Sequence, residues 1–219
     1  MEAKKGRREM KKFELTTEFI TNAFGKKLFR IKALVEFGDV KAGELGGYVE
    51  KEENVSQDGN AWVSGDARVS GNARVSGDAK VYDNAWVFGN ARVSGDALVS
   101  GDARVSGDAR VYDNARVYGD ARVYGNAWVS GDARVSGNAR VSGDADYALV
   151  QGFGTEFRCT TFYRGKNKKI MVNCGCFHGD LEGFRKQVKE TRNGKIAKEY
   201  LMIADLMEYH FTSEDSSNE

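Results

Sequence analysis

The chain has 219 residues, 33 Lys and Arg against 32 Asp and Glu, a formal net charge of +1, and no proline. So even a balance gives no global field that draws a protein onto nucleic acid or an acidic membrane. Three cysteines, two of them close together, do not make a secreted disulfide framework. No apolar run reaches the ~18 residues that span a bilayer, and the basic start MEAKKGRREMKK has no apolar stretch behind it to make a secretory signal. A cytoplasmic setting is expected.

Residues 1–12 read as a charged, mobile tail. Within 13–48, Phe13-Glu14-Leu15 and Leu28-Phe29-Arg30-Ile31 read as short strands, and Thr17 as the cap of a short helix over Glu18 to Phe24 that Gly25 ends. Residues 1–48 are thus expected to be a basic tail and an N-terminal cap. A cap is needed because an open sheet end exposes unpaired backbone.

From Val63 to Val141 fourteen valines recur every six residues, each in the phrase V-(S/Y/F)-(G/D)-(D/N)-A-x. A fixed short period means one unit stacked on itself. Three six-residue sides make an 18-residue coil of a parallel β-helix. Val points inward, Ala four residues later fills the corner, and the (G/D)-(D/N) pair turns the chain because these residues tolerate left-handed backbone. Residues on either side of each Val point outward. Burying each β-branched Val contributes roughly 1.5–3 kcal/mol. The phase extends to Val49 and Val55, with Gln57-Asp58 as a two-residue insertion, and Tyr147 takes the next Val slot. About five coils then fill residues 49–148, a rod roughly 25 Å long.

The phrases VSGDARVSGNAR and VYGNAWVSGDAR resemble the hexapeptide-repeat superfamily. The resemblance implies a left-handed β-helix, against the usual right-handed crossover rule. The lead-in GDVKAGELGGYVEKEENVSQDGNAWV is similar to that of uncharacterised hexapeptide-like proteins of bacteria and their prophages, which are held to be transferases or polymer-forming proteins. The superfamily's acyltransferases use a His base at a cleft between subunits. Here no His precedes His178 and no loop interrupts the run, so only His178 and His210 are available as bases.

Sorting by eighteen gives three outward faces. Before each Val, the first carries Trp62, Lys80, Leu98, Arg116 and Arg134; the second Arg68, Trp86, Arg104, Arg122 and Arg140; the third Arg74, Arg92, Arg110, Trp128 and Asp146. Nine Arg and Lys80 meet eleven Asp between residues 63 and 146, a net of −1, so corner aspartates are expected to neutralise stacked arginines. A nucleic-acid groove needs excess positive charge on one face, and only the Arg104 and Arg122 face hints at that. After the valines, Tyr82/Ser100/Tyr118 and Phe88/Ser106/Tyr124 set rings two layers apart, roughly 10 Å. Such slots, with Trp86 and Trp128 nearby, suit surface cover, contact with a second protomer, or a planar ligand.

Beyond the repeat, residues 149–211 read as a small α+β domain. Phe157 to Tyr163 and Ile170 to Cys174 form a hairpin around RGKNKK. Asp180 caps a helix bearing Leu181, Phe184 and Val188. A second helix, about Ile196 to Phe211, aligns Ile196, Tyr200, Ile203, Met207 and His210. The acidic end, 212–219, is expected to be disordered. Cys174, Cys176 and His178, with Cys159 on the neighbouring strand, have the ligand types of a zinc site, but without the usual CxxC spacing; packing as small hydrophobes and a Cys–His nucleophile are the other readings.

The fold class expected is mainly β: a left-handed parallel β-helix with a small C-terminal α+β domain, assembling as a homo-oligomer. The function expected is a non-catalytic rigid binding or assembly module, an accessory phage or prophage protein acting on a host protein or through self-assembly. The alternatives are a sponge for a small planar or nucleotide-like molecule between protomers, and a hexapeptide-type acyltransferase.

Overall fold

The computed structural model describes residues 11–157, 159–165 and 168–212, the Asp144 side chain excepted. All fourteen repeat valines and the alanines between them lie in one continuous buried core. Fourteen two-residue strands, β4 (Trp62–Val63) through β17 (Arg140–Val141), fall on the valine steps. Each pairs in parallel with the strand eighteen residues on, as Leu98 with Arg116 and Val99 with Val117. Three ladders result. The first residue of each corner takes positive φ, from Gly65 at 64° to Gly137 at 60°. Asp83 (59°) and Asp113 (56°) stand where Gly is missing, since a short polar side chain tolerates that region. At Gly95 the corner is also tight: a Cβ there would lie 2.8 Å from the Asp113 nitrogen of the next coil.

The two-residue insertion is present. Val49 pairs with Val69 and Val55 bridges to Val75, twenty residues apart rather than eighteen.

The N-terminal cap is an antiparallel meander, β1 (Phe13–Thr21), β2 (Lys27–Ala33) and β3 (Leu45–Val49), whose last strand joins the second ladder in parallel through Tyr48 and Arg68. The helix expected from Glu18 to Phe24 is therefore strand and turn. Thr16, Thr17, Ile20 and Thr21 are β-branched and favour extended backbone. Gly25, at φ 74°, closes a hairpin rather than a helix, and Gly25 N–H donates to the Asn22 carbonyl. Residues 1–10 of the expected tail lie outside the described residues, but Lys12 is buried. Its ammonium reaches the carbonyls of Gly59 and Ala61 at 3.2 and 2.9 Å and sits 4.8 Å over the Phe37 ring. Those carbonyls would otherwise bond a coil below. Asn54 does the same on another side, donating to Gly71 and Ala73.

At the other end the chain leaves the coil. Tyr147 packs on the valine core, yet it opens β18 (Tyr147–Val150), which pairs antiparallel with β19 (Thr160–Arg164); the third ladder stops at β15 (Trp128–Val129). Asp146 is likewise no outward ladder residue. Its carboxylate accepts from Ser142 N–H and Oγ and Gly143 N–H, and pairs with Arg164 at 3.1 Å. Strands β20 (Ile170–Cys174) and β21 (Phe177–Asp180) complete a four-stranded sheet, which α1 (Leu181–Thr191) and α2 (Gly194–Thr212) cover. Side-chain alternation divides the work. Tyr163 and Met171 face the rod, whereas Phe162 and Val172 face the helices. Asp180 caps α1 through Gly183 N–H. On α2 the buried residue of the last turn is Phe211 and His210 is exposed. Residues 213–219 of the expected acidic tail lie outside the described residues.

Candidate binding face

Continuous backbone pairing holds every outward side chain of the rod on a fixed 18-residue lattice, so each face is a rigid array. On the first face, Tyr82, Leu98, Ser100, Arg116, Tyr118 and Arg134 line a groove of about 260 Å³. Tyr82 is also a wall of a second groove of about 260 Å³, which Asp39, Val40, Glu44, Trp62, Lys80 and Asp83 line with it. The two grooves lie on the same face and share Tyr82 as a wall. Lys80 Nζ holds Asp39 at 2.7 Å. Trp62, expected to point outward, is only 4% exposed. Phe13 and Phe37 meet its ring edge-on at 6.2 and 5.3 Å, because the meander folds over the first coil. The sequence reading found Tyr82 and Tyr118 but missed Asp39 and Glu44, which arrive from a loop with no periodic signal.

The second face is differently arranged. Trp86 lies between the guanidinium groups of Arg68 and Arg104, 6.0 and 5.7 Å from its ring. Phe88 packs on Trp86 at 5.2 Å, and Tyr124 is exposed two layers further along. Arg122 continues the cation ladder above Arg104. On the third face Trp128, 44% exposed, carries Arg110 at 4.7 Å and the edge of Tyr112 at 6.3 Å.

Among the described residues, no rod arginine forms an ion pair with a corner aspartate, against expectation. Five of the corner carboxylates bond along the stack instead. Asp78 accepts from Asn60, Asp108 from Asn90 and Asp132 from Asn114. Asp83 and Asp113 accept from the N–H groups of Gly101 and Gly131. The guanidinium groups of Arg68, Arg104 and Arg110 instead lie over tryptophan rings.

The Cys and His residues do not converge. Gly175 (φ 60°) and Cys176 form the tight turn between β20 and β21, so Cys174 and Cys176 share no strand face. Cys174 packs towards the helices and accepts from Thr160 Oγ1 at 3.1 Å. His178 faces the rod, over the Gly137 corner, with Nε2 3.5 Å from the Tyr163 hydroxyl. Cys159 and Cys176 line a groove of about 530 Å³ with Asp132, Arg134 and Phe157. Burial pushes the Cys159 thiol up. Among the described residues no three Cys, His, Asp or Glu side chains are grouped to hold a metal ion. The opposed faces of one sheet explain why.

His178 belongs instead to the seal between sheet and rod. Thr161 Oγ1 accepts Arg134 N–H at 3.0 Å, and Asn173 Nδ2 donates to the Arg134 carbonyl at 2.7 Å and to Ser136 Oγ at 3.0 Å. Ser136 Oγ in turn lies 3.3 Å from the buried Tyr163 hydroxyl. These contacts replace the coil that does not follow. His210, exposed on α2, lies on a different element from this seal.

The family model described as the YdcK beta solenoid repeat matches residues 67–82, 85–101, 91–107, 103–115, 109–122, 115–131 and 133–145. The chain is a left-handed β-helix protein of the hexapeptide-like repeat type. The match lies wholly within the rod, so it speaks to the scaffold and leaves the cap and the C-terminal unit uncovered. No curated protein matches the chain. Among the described residues no helix is long and apolar enough to cross a membrane.

Proposed function

We propose that this β-helix protein is a non-catalytic binding module whose first face is the binding surface. The observation that carries the reading is the groove between Tyr82 and Tyr118, floored by Leu98 and Ser100 and flanked by Arg116 and Arg134. Its walls stand on strands paired on both sides. A rigid groove of this kind loses little conformational freedom on binding, which favours affinity. Tyr and Arg are the residue types that most often anchor interfaces. An accessory role in a phage or prophage, exerted by occupying a host protein or by self-assembly, is the biological form that the lead-in segment suggests. The two arginines favour one further reading: a planar anion stacked between the tyrosines, as in a sponge.

Native mass spectrometry of the gently purified protein, beside Tyr82→Ala/Tyr118→Ala, tests this. The wild type is expected to carry a second copy or a small-molecule adduct that the double variant loses. A bare wild-type chain, or an adduct that the variant retains, contradicts the reading.

A further inference from the structure

The corners of the rod differ in charge. Every cation of the first and second faces, Arg140 apart, has an aspartate two or three residues before it, as Asp66 precedes Arg68 and Asp132 precedes Arg134. On the third face Asn72 precedes Arg74 and Asn90 precedes Arg92. Asn72 donates to Asn90 at 3.2 Å and Asn90 to Asp108 at 3.0 Å, so this corner is largely amide where the others are carboxylate. Arg74 and Arg92 stand on paired strands, roughly 4.8 Å apart. Among the described residues neither forms an ion pair or lies over a ring. Both line a groove of about 620 Å³ with Ser56, Ser76 and Ser94, which follow one another on successive rungs. Tyr112 occupies the next rung and ends that row. Glu52 and Glu53 line the groove at its cap end. The Lys11 ammonium holds Glu52 at 2.8 Å, so of the lining carboxylates Glu53 alone opposes the two guanidinium groups.

We propose that this groove on the third face binds a phosphate dianion, free or as the monoester of a small organic molecule. Two like charges held one rung apart repel, and an anion between them removes that repulsion. One guanidinium fork fills the two coplanar oxygens of a carboxylate. A tetrahedral phosphate presents three oxygens and accepts from both forks and from the Ser76 and Ser94 hydroxyls. The volume of the groove leaves room for an organic body beside the phosphate. The site lies on a different face from Tyr82 and Tyr118 and does not depend on them.

Open to solvent and screened by salt, the groove exchanges its ligand freely, so the anion is added rather than carried through purification. Equilibrium dialysis of the full-length protein at low salt, against inorganic phosphate, ribose 5-phosphate or ribose, tests the site. The wild type is expected to take up both phosphates saturably and to leave ribose unbound. Arg74→Gln/Arg92→Gln should weaken binding about tenfold or more. Arg122→Gln/Arg140→Gln, the same loss of charge on the second face, should leave it within about twofold. Glu53→Gln should tighten binding by about two- to threefold, a gain that a misfolded variant does not give. Tighter binding of ribose 5-phosphate than of inorganic phosphate supports a monoester as the ligand; equal or weaker binding supports the free ion. No saturable uptake of either phosphate, or an equal loss in the two arginine variants, overturns the proposal.

Discussion

At the N-terminal end of the rod the carbonyls of Gly59, Ala61, Gly71 and Ala73 meet donors, the Lys12 ammonium and the Asn54 amide. At the C-terminal end the N–H groups of Arg134, Ser142 and Gly143 meet acceptors, the Thr161 hydroxyl and the Asp146 carboxylate. The same task, closing a parallel ladder, is done with opposite chemistry. The first cap is a three-stranded meander with a buried ammonium; the second is a sheet whose other face is already committed to two helices. In both, a few side chains stand in for a missing coil. Each is a single point of failure, whereas the interior of the rod repeats its contacts many times over.

Asn54→Asp should be the most damaging of three substitutions that probe this contrast. It sets a carboxylate against two buried carbonyls, each costing about 1–3 kcal/mol when left unmet. A thermal melt should fall by roughly 6–12 °C for a chain of this size; a fall of under 2 °C would remove Asn54 from the account. Asp146→Ala comes next. It uncaps Ser142 and Gly143 and breaks the pair with Arg164, whose guanidinium keeps its bond to the Phe211 carbonyl at 2.8 Å. We expect a loss of about 2–3 kcal/mol in urea unfolding, with exchange-labile protons appearing first in β18 and α2 rather than in the rod.

Lys12 gives the smallest effect and the most specific one. Burial pushes its ammonium down from 10.5 to about 8, with Asp58 and Asp78 pulling the other way. The unfolded chain keeps this proton up to about 10.5, while the folded chain releases it near 8. Stability should therefore rise with pH between those values and level off above them. The neutral amine still has two N–H groups for Gly59 and Ala61. The difference in unfolding free energy between wild type and Lys12→Met should grow across that window; a flat difference would mean the ammonium is not desolvated.

How far these features could be read from the sequence follows from their periodicity. Valines every six residues, the Gln57-Asp58 insertion and the Asp180 cap all have local signals, and each is where it was expected. The helix expected after Thr17 failed because capping signals outweighed a run of β-branched residues that pairs with β2. Lys12 looked like part of a charged tail, since nothing near it in sequence announces the carbonyls of Gly59 and Ala61. Cys174 and His178 had the residue types of joint ligands though not the usual spacing; Gly175 turns the chain between them and the sheet sends them to opposite faces. The candidate face was half visible: Tyr82 and Tyr118 fall out of the eighteen-residue sort, while Asp39 and Glu44 reach it only through the tertiary fold of the cap.

The claim that the first face is the binding surface is tested most directly by comparing faces within one molecule. Native masses would be recorded for the wild type, for Tyr82→Ala/Tyr118→Ala on the first face and for Phe88→Ala/Tyr124→Ala on the second. The account predicts that whatever the wild type carries, a second copy or a small molecule, is lost from the first variant and kept by the second. Loss from the second variant alone, or from neither, would contradict it.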